Sequence, residues 1–136
     1  MRPSEIIAQK ANEQAQAVFE VGRIAMDAGN LQLAKDKFEE ALAVHAHNFD
    51  AVHFLGIVYA RAGRMQQALP YFKQALQLNP NMSAVHHNLG LTLDGLERLD
   101  EAMACFDRAI ELNPDYEQAK LSRQATLARI NATQKT

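Results

Sequence analysis

Two stretches of the chain repeat one another at a fixed offset. Residues 51–80 read AVHFLGIVYARAGRMQQALPYFKQALQLNP, and residues 85–114 read VHHNLGLTLDGLERLDEAMACFDRAIELNP. Leu55-Gly56 answers to Leu89-Gly90, Ala68 to Ala102, Phe72 to Phe106, Ala75 to Ala109 and Pro80 to Pro114, all at one and the same offset. A weaker copy comes first: Gly22, Ala34, Phe38 and Ala41 stand at that offset before Gly56, Ala68, Phe72 and Ala75. A period of about 34 residues marks units that cannot bury their apolar faces alone and do so by stacking. Each unit has room for two helices. The proline after Asn79 and Asn113 pushes those residues out of helical dihedrals and ends the second helix.

Taken in order, residues 4–28 read as one helix. Ser4 is the expected N-cap, Glu5 lies in the first turn, and Ala11, Ala15, Val18, Val21, Gly22 and Ala25 form a small apolar stripe. Gly29-Asn30 ends it, and a second helix is expected over 31–46. The pattern divides the chain into an N-terminal extension (1–14), a degenerate repeat (15–48), two full repeats (49–82 and 83–116), and a capping helix with a polar tail (117–136). Within the second repeat the helices are expected at 50–61 and 65–78, with a slight bend at Pro70. In the third, Asp100 is the expected N-cap of the second helix. Glu97 replaces the turn glycine seen at Gly29 and Gly63, which predicts a different turn geometry there. The last helix, 117–130, has Leu121, Ala125 and Ala128 as its expected inward side and a frayed tail from Asn131.

Charge and composition exclude several functions. The 136 residues carry a formal net charge of -2 with no basic cluster, which argues against a nucleic-acid partner. No apolar run approaches the ~20 residues of a membrane span, and the N-terminus lacks a signal-peptide core. A cytoplasmic protein without membrane insertion is expected. The single cysteine, Cys105, permits no internal disulfide and reads as a half-buried apolar residue. His86 and His87 are adjacent and point about 100° apart on a helix, so they do not share a metal. His45 and His47 sit at a helix end, and His53 has no third ligand with His87. No Ser-His-Asp order, phosphate loop or HExxH motif is present. The expectation is a non-enzymatic protein with no metal and no cofactor.

The Leu-Gly, Ala, Phe, Ala, Pro pattern, recurring at this period, resembles the tetratricopeptide repeat. The resemblance implies an all-α, right-handed solenoid of helix-turn-helix repeats, three of them plus a capping helix. It also implies a concave groove lined by the first helices. The groove residues would be Phe19, Arg23 and Met26 in the first repeat, Asp50, His53, Phe54, Ile57 and Arg61 in the second, and His87, Asn88, Leu91 and Asp94 in the third. They vary between repeats while the packing residues recur, as a surface that reads a ligand would. Some family members hold the carboxylate terminus of heat-shock chaperones with a clamp of Lys, Asn and Arg. Phe19, Arg23 and Phe54 stand at the clamp positions and no cation lies beside His87, so that ligand does not carry over. The implied function is a scaffold or adaptor that binds a protein or peptide partner. The alternatives are a self-assembling homo-oligomer and the N-terminal repeat segment of a larger enzyme such as a glycosyltransferase.

Overall fold

The computed structural model describes residues 1–134. They form seven helices and, among the described residues, no strand: α1 Pro3–Asp27, α2 Leu31–Val44, α3 Phe49–Arg61, α4 Met65–Leu78, α5 Ser83–Gly95, α6 Leu99–Leu112 and α7 Glu117–Gln134. Pairs of helices make the repeats. α1 packs on α2, α3 on α4 and α5 on α6, and each second helix then packs on the first helix of the next pair. The first helices also touch in succession, α1 to α3 to α5 to α7, whereas no second helix reaches the next second helix. The stack is therefore narrower on the side of the first helices, and that side is the inner, concave one.

The recurring residues explain the stack. Phe38, Phe72 and Phe106 are fully buried and project onto Gly22, Gly56 and Gly90 of the paired helix. A Cβ at Gly56 would stand 2.7 Å from the Phe72 ring, and one at Gly90 would stand 2.5 Å from the Phe106 ring. Ala34, Ala68 and Ala102 open each second helix with no accessible surface at all, letting the two backbones approach. The sequence period is thus the spacing of one Phe-on-Gly contact from the next.

Several boundaries differ from the sequence expectation, each for a local reason. Pro3 is the first residue of α1, where its missing N–H costs nothing, and Arg2 rather than Ser4 is the cap residue. The Arg2 backbone N–H donates to the Glu5 carboxylate at 3.2 Å. α2 stops at Val44 because His45 is already extended, with φ -141°. α3 starts at Phe49, capped by Asn48, whose side chain accepts the Ala51 N–H at 3.1 Å. Asp100 lies in the first turn of α6, and Arg98 holds the cap position. Glu97 does not change the turn: its φ of 61° is left-handed, as are Gly29 at 82° and Gly63 at 79°.

The last helix departs most. α7 runs on through 131–134, where a frayed tail was expected, and Lys135 and Thr136 lie outside the described residues. Its inward side is Ala119 and Thr126, not Leu121, Ala125 and Ala128, which are exposed. The seam with α5 and α6 is polar. Ser122 meets His87, Arg123 meets Asp107 at 2.5 Å, and Thr126 and Arg129 both donate to the Asp94 carboxylate.

Candidate functional site

The concave face is built from side chains that share a register on α1, α3, α5 and α7. Phe19, His53, His87 and Leu121 occupy one row, each a full repeat from the next. Each of the first three is covered by the residue one place on in the following repeat. Phe19 meets Phe54 edge-on with ring centroids 5.2 Å apart, His53 Nε2 lies 3.0 Å from Asn88 Nδ2, and His87 Nε2 lies 3.0 Å from Ser122 Oγ. Leu121 has no following repeat among the described residues and is 62% exposed.

This row places several expected groove residues behind the surface. Phe19, Met26, His53 and His87 are buried. Phe19 also packs on Phe38, at 5.4 Å, and His53 lies between Phe49, Phe54 and Phe72. An amide nitrogen can only donate, so His53 Nε2 accepts from Asn88 and the ring is neutral. Burial pushes the His53 pKa down to about 4, and it also lowers that of His87, whose Nδ1 faces the Tyr116 hydroxyl at 3.1 Å. The two histidines are parts of the seams between repeats, each meeting a side chain of the following first helix.

The remaining expected residues reach the surface. Phe54, Ile57 and Asn88 are half-buried, Leu91 is 45% exposed, and Arg23, Asp50 and Arg61 are exposed. Arg23 is engaged by Glu20 at 3.0 Å and, more loosely, by Asp27 at 3.9 Å. Asp94 is taken by Thr126 and Arg129. Arg61 has no ion-pair or hydrogen-bond partner among the described residues. Between α3 and α5 a cavity of ≈ 420 Å³ opens, with Ile57, Ala60 and Arg61 on one wall and Asn88, Leu91 and Thr92 on the other. Met65 and Phe72 of α4 form its floor.

Sequence reasoning missed the floor, because Met65 and Phe72 read as packing residues of an outer helix. It also missed Leu121 and Ala125 as continuations of the concave row. Counting one period on from His87 and Leu91 locates both. Among the described residues no three His, Cys, Asp or Glu side chains come together as a metal site requires. Burial pushes the half-buried Cys105 thiol up to about 11, away from the reactive thiolate. No described helix is long and apolar enough to cross a membrane.

Two family models, each described as a tetratricopeptide repeat, match residues 59–130 and 19–83. Among solved structures, the first such domain of Spaghetti (RPAP3), bound to the HSP90 peptide SRMEEVD, is similar at TM-score 0.85 and 19% identity, over 88% of this chain and 95% of that one. YrrB, described as having an unusual peptide-binding site, is similar at 0.76 and 30% identity, over 86% and 60%. An O-GlcNAc transferase of Thermobaculum terrenum is similar at 0.83 and 23% identity over 86% of this chain, which spans only 22% of that one. No curated protein matches the sequence.

Proposed function

Because the chain belongs to the tetratricopeptide-repeat family, we propose that it is a non-catalytic interaction module whose concave face holds a peptide or helix of a partner protein. The observation that carries this is the cavity between α3 and α5, which opens on the concave side and is lined there by residues that do not recur between repeats. Phe54, Ile57 and Leu91 supply apolar contact, and Arg23, Arg61 and Asn88 supply polar contact, with Asp50 and Asp94 on the same face. Phe19, Met26, His53 and His87 hold these groups from behind. The peptide-bound Spaghetti domain and YrrB support peptide binding as the mode. The chaperone peptide itself is a poor candidate, since Phe19, Arg23 and Phe54 stand where a carboxylate clamp needs Lys and Asn.

A library of random displayed peptides selected on the chain tests the reading. Ile57→Ala or Leu91→Ala weakens a selected peptide by roughly 1 kcal/mol or more, and Lys73→Ala, on the exposed side of α4, leaves it unchanged. The reverse pattern puts the ligand on the outer helices and overturns the groove. The non-catalytic half of the proposal fails if the isolated chain shows turnover that one carboxylate or histidine substitution abolishes.

A second reading, self-assembly, has its own observation. Ala17, Val21 and Ile24 of α1 stand where Ala51, Leu55 and Val58 are buried in α3, yet Val21 is exposed and Ile24 is 63% exposed. A second copy seated on that stripe would make the mass of the protein rise with concentration.

A further inference from the structure

We infer that the groove takes an acidic–apolar peptide segment: a large aliphatic or aromatic side chain seated between α3 and α5, next to a carboxylate that pairs with Arg61. The inference rests on the groove reading and names the chemistry the groove selects.

The cavity volume, ≈ 420 Å³, falls in the range of about 300–1,000 Å³ typical of ligand sites. Its interior surfaces are Ile57, Ala60, Leu91, Met65 and Phe72, which favour an apolar group. Met65 keeps its place because Gly95 of α5 has no side chain; a Cβ there would collide with the Met65 sulfur.

The polar groups of the lining are mostly committed. Asn88 Nδ2 donates to His53, and the Thr92 hydroxyl donates to the Asn88 carbonyl at 2.9 Å. Arg61 alone of the lining carries a charge, and its guanidinium has no partner among the described residues. Of the anions of the same face, Asp27 lies against Arg23, Asp94 is held by Thr126 and Arg129, and Asp50 stands in the first turn of α3, at the opposite end of the helix from Arg61.

An unpaired guanidinium beside an apolar slot discriminates among peptides. A carboxylate meets its planar fork of donors in a bidentate geometry, at the mouth of an apolar slot that holds the neighbouring side chain. A purely apolar peptide would cover Arg61 without replacing its hydration, and a basic one would add repulsion. The site differs in place from a carboxylate clamp at Phe19, Arg23 and Phe54: Arg61 lies a turn beyond Ile57, at the C-terminal end of α3.

The test uses the full chain and random peptides, each about a dozen residues long, displayed on phage. The tightest selected peptide is synthesised with a fluorophore and its Kd is read by fluorescence anisotropy, with folding of each variant checked by circular dichroism. The expected consensus has Asp or Glu within two positions of a large apolar residue. Arg61→Gln and replacement of the peptide acid by its amide each weaken binding about tenfold. Combined, they weaken it little further. The charge-reversed pair, Arg61→Glu with the peptide acid replaced by Lys, recovers most of the loss. A consensus without an acid, or an Arg61→Gln affinity equal to the parent's, overturns this inference. If Ile57→Ala still weakens binding in that case, the groove reading stands without it. Binding that is sensitive to Lys73→Ala and indifferent to Ile57→Ala overturns both.

Discussion

Two kinds of residue set the stability of this chain, and they respond differently to change. Gly22, Gly56 and Gly90 are held by sterics, since each faces a buried Phe ring with no room for a methyl group. Gly56→Ala should cost roughly 1–3 kcal/mol by overpacking, read from the midpoint of chemical denaturation. Phe72→Leu in the same chain should recover part of it; a double variant no better than the single one would show that the loss arises elsewhere. Glu97 is the opposite case. Its left-handed φ of 61° costs a non-glycine residue about 1–2 kcal/mol. Its carboxylate gains Arg129 at 2.5 and 2.6 Å, but that pair is exposed and worth little. Glu97→Gly should therefore raise Tm by ~2–4 °C. A fall would show that the link from α7 to the turn outweighs the strain.

At the scale of elements, the seams between repeats grow more polar along the chain. The first is Phe19 on Phe54, the second His53 on Asn88, and the third His87 on Ser122 and Asp94 on Thr126 and Arg129. Buried neutral histidine makes the middle seam sensitive to acid. His53 has a folded pKa of about 4 against an ordinary value of 6.5, so the unfolded chain binds the proton more readily. The stability this protects is whole above pH 6.5 and is lost as pH falls towards 4, on the order of 3 kcal/mol by the end of that window. His53→Gln leaves Asn88 an acceptor and removes the titration, so the dependence of unfolding free energy on pH between 4 and 6.5 should flatten. An unchanged slope would assign the acid sensitivity to other groups. At the third seam, deleting 117–134 takes Ser122 from His87, Arg123 from Asp107, and Thr126 and Arg129 from Asp94. The truncated chain should unfold more readily and aggregate, as repeat arrays do without their caps; light scattering and thermal melts measure both.

At the scale of the whole molecule, the two ends of the stack differ. The face of α7 turned away from α6 carries Lys120, Gln124 and Leu127, two of them polar. The corresponding face of α1 exposes Val21 and Ile24. If a second copy covers it, sedimentation equilibrium should show mass rising with concentration. Val21→Glu with Ile24→Glu should then hold the protein at the monomer mass without loss of helix, because both side chains already face solvent. A parent chain that is monomeric at every concentration would remove the self-assembly reading.

The sequence by itself determined the number of helices, several of their ends and the residues that pair them. Steric contacts repeated once per unit leave a periodic trace: Gly56 needs Phe72 as Gly90 needs Phe106, and both halves of each contact lie within one repeat. What the tertiary structure decided lies between repeats, where partners are separated by a full period and no local pattern links them. His53 and Asn88 look like two exposed polar residues until stacking makes one the cover of the other. Leu121, Ala125 and Ala128 look like the inner stripe of a cap, because apolar residues at helical spacing normally face a core. The facing surfaces of α5 and α6 supply His87, Asp94 and Asp107 instead, and hydrogen bonding to those groups turns Ser122, Arg123 and Thr126 inward and leaves Leu121 on the concave row. The cavity is of the same kind: Ile57 and Leu91 announce an apolar face, but only the approach of α3 to α5 over Met65 and Phe72 makes it a slot beside an unpaired Arg61.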